Sequence, residues 1–243
     1  MSLTASVKRI PVVGSAVRSC YRRIFRARKT FVGSGQYWEQ RYQDGGNSGP
    51  GSYDRLAEFK ATTLNAFVEE QNVSSVIEFG CGDGNQLSLA NYPKYIGLDV
   101  SKQAIRMCRE RFRDDETKQF ACLDEETELS SISQKADLAI SLDVIYHLVE
   151  DEVFDRYMSD LFDAAEQFVI IYSSNFDAER NFHVRDRCFT SWISQHRPSW
   201  KQVRLVENPY PFDPANPNHS SRADFYMFAH ESLASDVTRP TST

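Results

Sequence analysis

The stretch VIEFGCGDGNQ, residues 76–86, sets three glycines directly behind a short apolar run. Gly80, Gly82 and Gly84 follow the spacing G-x-G-x-G, which differs from the G-x-G-x-x-G of dinucleotide-binding turns. Glycine lets a backbone approach a ligand closely and adopt positive φ. In a parallel sheet, a nucleotide-like ligand binds at the turn after the first strand. The stretch therefore predicts a buried strand that runs into a ligand-binding turn.

Strand-like and helical patterns alternate on both sides of this turn. Apolar, β-branched runs predict strands at 75–79, 95–100, 119–123, 137–142, 168–172, 201–206 and 223–229. Helical patterns fall at 53–71, 102–113, 151–166 and around 186–195. This alternation predicts an α/β fold with a doubly wound, Rossmann-like sheet of seven mostly parallel strands that ends in a C-terminal antiparallel hairpin.

The charge of the 243-residue chain is unevenly distributed. Residues 1–38 carry eight Lys or Arg and no acid, whereas the remainder has 20 basic and 34 acidic residues, a net charge of −14. So acidic a body is not expected to bind nucleic acid. We interpret the basic segment 1–34 either as an amphipathic helix that contacts an anionic membrane surface or as a solubilising tail. We expect one folded domain at 35–232 and a flexible tail at 233–243.

Cysteine usage and hydropathy suggest a compartment. The five cysteines are odd in number and form no CxxC pair, a pattern that favours reduced thiols over a disulfide framework or a zinc site. No apolar run approaches the ~20 residues that span a bilayer. We therefore expect a cytoplasmic protein; on the amphipathic-helix interpretation, the basic segment attaches it to the inner face of the membrane. We assign no metal.

Two acids beside the glycines require an explanation. Asp99 ends the second predicted strand, 15 residues past Gly84, where its carboxylate can accept hydrogen bonds from the hydroxyls of a ribose. Glu78 lies inside an otherwise apolar strand, and a buried carboxylate is costly unless it has hydrogen-bond donors or a cation beside it. Glu78 would hold amides of the turn or face a cationic group of the ligand.

The segment EFGCGDG at 78–84, the strand-ending Asp99 and the order of strands resemble the class I S-adenosylmethionine-dependent methyltransferases over about four fifths of the chain. The resemblance implies a methyltransferase domain over 35–232 with S-adenosylmethionine as cofactor. In that family the glycine turn lies against the methionine and ribose portions of the cofactor. The cofactor ligands implied in this region are Glu78, Gly80, Cys81, Gly82, Gly84 and Asp99.

Further cofactor contacts are carried over from the resemblance. Leu123 and Asp124 follow the third strand at the place of the adenine, although Asp124 would also suit a surface turn. Asp143 follows the fourth strand at the boundary between cofactor and acceptor. The segment GQYWEQRY at 35–42 resembles the YWExRY segment of several such enzymes. There an aromatic residue closes the pocket, so Tyr37 and Trp38 are either a lid or ordinary helix packing.

The acceptor side is predicted from residues that follow the fourth and fifth strands. His147 and His183 are candidate general bases, because a neutral imidazole accepts a proton near pH 7; each is otherwise a structural histidine. Asp143 joins them as a candidate catalytic residue, and Tyr146, beside His147, is a candidate substrate-binding residue. Arg185 and Arg187 would share a face with His183 in an extended strand and would bind an anionic substrate.

The alternative for both arginines is an exposed linker that pairs with nearby acids such as Asp177 or Glu179. If the two arginines instead bind an anionic substrate, we expect O-methylation of an anionic small molecule or of a polysaccharide or glycan precursor. The resemblance extends to bacterial methyltransferases that modify surface polysaccharides. Two alternatives remain open: N-methylation of a small amine, and a non-catalytic protein that binds the cofactor or a partner. The sequence predicts no oligomeric state.

Overall fold

The computed structural model describes residues 33–123 and 135–233. The helices in this part of the chain are α1 (Ser34–Gln43), α2 (Asp54–Glu70), α3 (Lys102–Arg111), α4 (Asp151–Asp163) and α5 (Phe189–His196). The strands are β1 (Val76–Phe79), β2 (Tyr95–Asp99), β3 (Lys118–Cys122), β4 (Ala136–Leu142), β5 (Ala165–Ser173), β6 (Ala178–Asn181), β7 (Val184–Asp186), β8 (Trp200–Val206) and β9 (Asp224–His230).

Seven of these strands form one sheet in the order β3-β2-β1-β4-β5-β9-β8. The first five are parallel, and β9 is antiparallel to both β5 and β8. The predicted fold class and all seven predicted strands are thus confirmed. Because β2 and β4 lie on either side of β1, the chain order reverses at the carboxyl end of β1. Doubly wound sheets bind ligands at such a switch point.

The sheet is buried on both faces, which explains the continuous apolar runs of its central strands. On one face, Leu64 and Phe67 of α2 pack in a cluster with Ile105 of α3. On the other, Met158 of α4 and Ile193 of α5 pack in a second cluster that also receives side chains of β1, β4 and β5. Alternate residues of β1 point to opposite faces, so the strand is buried throughout its length.

Some local elements differ from the sequence prediction. The two-stranded hairpin β6–β7 was not predicted, because its strands have only four and three residues, carry mostly polar side chains and show no apolar run. The helix expected around 186–195 begins at Phe189, since Val184–Asp186 is a strand. The predicted amphipathic helix of the basic segment and the C-terminal tail beyond residue 233 lie outside the described residues. Within 33–123 and 135–233, no helix is long and apolar enough to cross a membrane.

Candidate active site

A cleft opens where β1, β2 and β4 end at the switch point of the sheet, and we name it the donor cleft. It brings together most of the residues predicted to bind the cofactor, namely Trp38, Glu78, Gly80, Cys81, Gly82, Asp99, Leu123 and Asp143. His147 also lines it. Gly84 and Tyr37 are not among the lining residues, and Asp124 lies outside the described residues. The structure therefore groups side chains that are far apart in sequence around one ligand-sized space.

The glycine turn is required by its own backbone and by its protein neighbours. Gly80 and Gly82 have φ of 86° and 57°, in the left-handed region that favours glycine. A Cβ at Gly80 would lie 2.4 Å from the Cγ2 of Val144, and one at Gly82 would lie 2.3 Å from the Oγ of Ser48. At Gly84 a Cβ would meet Phe112. Side chains are thus excluded here by the fold itself, in addition to any ligand.

Asp99 ends β2 and holds the turn. Its Oδ2 accepts a hydrogen bond from the Gly82 amide at 2.9 Å, and its Oδ1 accepts one from the Ser101 amide at 2.8 Å. Burial raises the pKa of Asp99 to about 6, against the effect of these two amides. Each carboxylate oxygen has a second lone pair, which the hydroxyls of a ribose can use. Asp99 therefore fits both roles, as a brace for the turn and as a ribose acceptor.

Glu78 lies on β1 with its side chain buried among polar partners. The Tyr95 hydroxyl donates to its Oε2 at 2.5 Å. Burial raises the pKa of Glu78 to about 7, and the Tyr95 hydroxyl and the Lys60 charge oppose this rise. Burial makes the charged form of this carboxyl group unfavourable. A cationic ligand group in the cleft would stabilise the charged form, so Glu78 is suited to bind one. The ammonium of a methionine moiety is such a group.

Asp143 follows β4 and is held from two sides. The Nζ of Lys60 lies 2.6 Å from its Oδ2, and the Tyr146 hydroxyl donates to its Oδ1 at 2.9 Å. Lys60 is fully buried, and the Asp143 side chain is only 13% exposed. Asp143 has a φ of 60°, which is uncommon for a residue with a side chain. Its carboxylate is therefore fixed in place, and its predicted catalytic role stays a prediction.

Lys60 was not predicted from the sequence. It lies on the apolar face of α2, four residues after Leu56 and four before Leu64, both of which are buried. A single lysine on the apolar face of a helix is usually expected to bury its aliphatic stem and extend its ammonium group to solvent. The signal that would have identified it is its position at the centre of the buried stripe, where a charge needs a partner.

His147 lies immediately after Tyr146 and is oriented by a carbonyl. Its Nδ1 lies 3.1 Å from the backbone oxygen of His183. Because a carbonyl oxygen only accepts, Nδ1 carries the proton and Nε2 carries the free lone pair of the neutral ring. Burial is the main cause that lowers the pKa of His147 to about 4. The ring is thus neutral near pH 7.

Helix α1 forms one wall of the donor cleft, through residues that include Ser34, Trp38 and Tyr42. The edge of the Trp38 ring packs 4.9 Å from His147, and Tyr37 stacks on His183 at 4.6 Å, measured between ring centroids. Glu39 anchors this helix, because its carboxylate accepts a 2.6 Å hydrogen bond from the Ser101 hydroxyl. Trp38 faces the cleft and Tyr37 packs on the His183 ring. Closure of the pocket by these residues stays a prediction.

Arg185 and Arg187 both have partners within the chain. Each places its Nη1 within hydrogen-bond distance of the Asp151 Oδ1, at 2.8 and 2.6 Å. Arg187 also donates to the backbone oxygens of Leu148 and Val149. The pairing acid is Asp151 on α4, instead of Asp177 or Glu179 as the alternative interpretation proposed. Both arginines tie the β6–β7 hairpin to the segment after β4, and neither lines the donor cleft.

The comparisons with known proteins agree with this geometry. A family model described as a methyltransferase domain matches residues 77–167. The structure of the N-methyltransferase NodS from Bradyrhizobium japonicum WM9, in complex with S-adenosyl-L-homocysteine, is similar at a TM-score of 0.61 and 16% identity, covering 82% of this chain and 98% of that one. No curated protein matches the chain in sequence.

Two further solved structures share the fold. The magnesium protoporphyrin IX methyltransferase ChlM from Synechocystis PCC 6803, with bound S-adenosylmethionine, gives a TM-score of 0.56 at 16% identity over 82% of this chain and 93% of that one. The methyltransferase domain of a bacterial Hen1 protein gives 0.54 at 20% identity over 70% and 96%. Residues 77–167 are therefore a methyltransferase domain, and the chain is an enzyme that uses S-adenosylmethionine as its methyl donor.

Proposed function

We propose that the enzyme methylates an oxygen of an anionic small molecule or of a polysaccharide or glycan precursor. The observation that supports this most directly is the neutral His147 at the donor cleft, with the proton on Nδ1 and the lone pair on Nε2. An imidazole in this state accepts a proton from a hydroxyl as its oxygen attacks. An amine acceptor that is already neutral has no need of such a base.

The proposed reaction needs little chemistry from the protein beyond alignment and proton removal. S-adenosylmethionine supplies a methyl group that is activated by the positive sulfur to which it is bonded. The hydroxyl oxygen of the acceptor forms the new bond to the methyl carbon, and the carbon–sulfur bond breaks with its electron pair left on sulfur. The hydroxyl proton passes to Nε2 of His147. The Lys60–Asp143 pair holds Tyr146 beside this base and so orients the acceptor.

The low pKa of His147 bears on the acceptor. An imidazole with a pKa of about 4 is neutral but only weakly basic. A negative charge bound nearby favours the protonated ring and raises its pKa towards the range in which proton transfer is efficient. An anionic acceptor would therefore activate its own base. This dependence supports an anionic substrate over a neutral sugar.

N-methylation of a small amine is the second candidate, and the same low pKa favours it, because attack by a neutral amine needs no strong base. The pH dependence of methyl transfer separates the two candidates. For an amine, the rate follows the protonation of the substrate and persists without an imidazole. For a hydroxyl, the rate depends on His147.

The test uses the full chain and S-adenosylmethionine labelled in its methyl group. Label transfer is measured for sugar acids, sugar phosphates and small amines, first with the wild type and then with His147→Gln. We expect transfer to a hydroxyl-bearing anion and a loss of about 100-fold in kcat in the variant, the lower end of the range for a general base. Cofactor affinity, measured alongside, should change little. Transfer to amines only, unaffected by His147→Gln, would replace the O-methylation proposal with N-methylation.

A further inference from the structure

A second cavity, of about 200 Å³, includes Tyr146 in its wall. The rest of its lining comes from the β6–β7 hairpin and from the segment that leads into β9, including Ser174, Arg180, Asp186, Phe212, Ser221 and Arg222. We name it the arginine cavity. None of these six residues was assigned a role from the sequence, and none lines the donor cleft.

Tyr146 connects the two spaces. Its hydroxyl donates to Asp143, which lines the donor cleft, while its ring lies 4.6 Å from the His147 ring, centroid to centroid. A molecule seated in the arginine cavity is thus separated by one side chain from the residue proposed as the base. An acceptor whose anionic group lies in the arginine cavity would therefore extend past Tyr146 towards the proposed base.

The two arginines differ in how they are satisfied. Arg180 forms an ion pair with the buried Asp186, which also accepts a hydrogen bond from Ser174. Arg222 is exposed and lies over the Phe212 ring, 3.2 Å from its centroid. Within residues 33–123 and 135–233 no protein group accepts a hydrogen bond from its guanidinium, which leaves its donors open to water or to a ligand. Two guanidinium groups face one carboxylate, so the cavity retains one uncompensated positive charge.

The closeness of these like charges has a cost. Burial and then the charge of Arg180 lower the pKa of Arg222, the Asp186 carboxylate opposes this effect, and the guanidinium stays protonated. One carboxylate offsets part of the repulsion between two cations, and a bound anion would offset more of it. The contrast with the rest of the molecule is marked, because residues 39–243 carry a net charge of −14. A local positive charge in an acidic body concentrates anions at that point.

We propose that the arginine cavity binds the anionic group of the methyl acceptor, a carboxylate or a phosphate, through the guanidinium groups of Arg222 and Arg180. The planar fork of arginine donates two parallel hydrogen bonds to either oxyanion. This proposal rests on the proposed function, because it takes the bound anion to be part of the methyl acceptor. It moves the anion from Arg185 and Arg187, which are tied to Asp151, to a pair of arginines that face an open space.

The test measures anion binding by calorimetry to the full chain saturated with S-adenosylhomocysteine. The probes are inorganic phosphate and glucuronate, with glucose as the neutral counterpart of glucuronate. We expect at least one anion to bind and glucose not to bind. Arg222→Gln should raise the dissociation constant of that anion by about tenfold, the effect of one hydrogen bond to a charged group. Arg222→Lys should give an intermediate value, since it keeps the charge but loses the fork.

The control is Arg113→Gln, which removes the same charge from a side chain that is 65% exposed on the surface; it should leave anion affinity within about twofold, because exposed charges at a distance are screened by salt. Equal affinity in the wild type and Arg222→Gln, or no anion binding by the wild type, overturns the proposal. Comparing phosphate with glucuronate decides between the two oxyanions. The anion titrations are repeated without S-adenosylhomocysteine. If the cofactor product does not bind, the comparison of the wild type with Arg222→Gln in this second series still decides whether Arg222 binds the anion.

Discussion

The donor cleft and the arginine cavity are built by different means. The donor cleft forms where three parallel strands end beside a glycine turn, so most of its residues lie within a few positions of a predictable strand end. The arginine cavity is formed by a short polar hairpin and by a segment that returns to the sheet through β9. The first depends on the sheet, the second on connections between its strands. Connections vary among proteins of one fold, and function concentrates in them.

The largest effect is expected where the two regions meet, at the Lys60–Asp143 pair. Lys60→Met removes the partner of an acid that is only 13% exposed, and removal of one member of a buried ion pair costs about 3 kcal/mol of unfolding free energy. Denaturant unfolding measures this loss. The double variant Lys60→Met/Asp143→Asn should recover at least half of it. If the unfolding free energy of the single variant falls by less than about 1 kcal/mol, the ion pair does not stabilise the contact between the two regions.

The next effect tests the donor cleft alone. Asp99→Ala removes the proposed ribose acceptor and also leaves the Gly82 and Ser101 amides without their partner. We expect the affinity for S-adenosylhomocysteine to fall about 100-fold, because the two proposed hydrogen bonds from the ribose hydroxyls to the Asp99 carboxylate are lost. Titration calorimetry measures it. Phosphate binding to the arginine cavity should persist in the same variant. Unchanged cofactor affinity would disprove the assignment of Asp99.

The sequence predicted the sheet well for a physical reason. Strands such as Ala136–Leu142 and Ala165–Ser173 are buried on both faces, so their apolar runs are continuous and visible without knowledge of any contact. The glycine turn and Asp99 lie at the ends of such strands and were found with them. His147 was likewise found by its place directly after a strand.

The residues that were missed depend on contacts between distant parts of the chain. Arg180 and Arg222 are 42 positions apart and meet only because β9 lies against β5 while the hairpin folds over the same end of the sheet. Arg185 and Arg187 have the same chemistry, but Asp151 on α4 occupies them. Sequence patterns show which residue types are present; only the fold shows which guanidinium has no hydrogen-bond acceptor among the residues that the structure describes.

The smallest effect sharpens the account of the donor cleft through pH. Burial raises the pKa of Glu78 to about 7, with Tyr95 and Lys60 opposing the rise and Asp99 adding to it. A raised pKa means that below pH 7 the ligand-free carboxyl group holds a proton, and a cationic ligand must displace it to gain an ion pair. Cofactor affinity should therefore fall as pH falls through 7. Above about pH 8 it should fall again, as the α-amino group of the ligand loses its proton.

Titrations of S-adenosylhomocysteine between pH 6 and 7.5 measure this dependence. We expect wild-type affinity to drop about tenfold over that interval, since a single site that must lose a proton changes the logarithm of affinity by at most one per pH unit. Glu78→Gln should bind more weakly at pH 7.5 and should vary by no more than about threefold, because Asp99, with a pKa of about 6, retains a smaller dependence. Parallel curves for wild type and variant would mean that Glu78 braces the strand and does not face the ammonium. The donor cleft would then recognise its ligand by the turn and Asp99 alone.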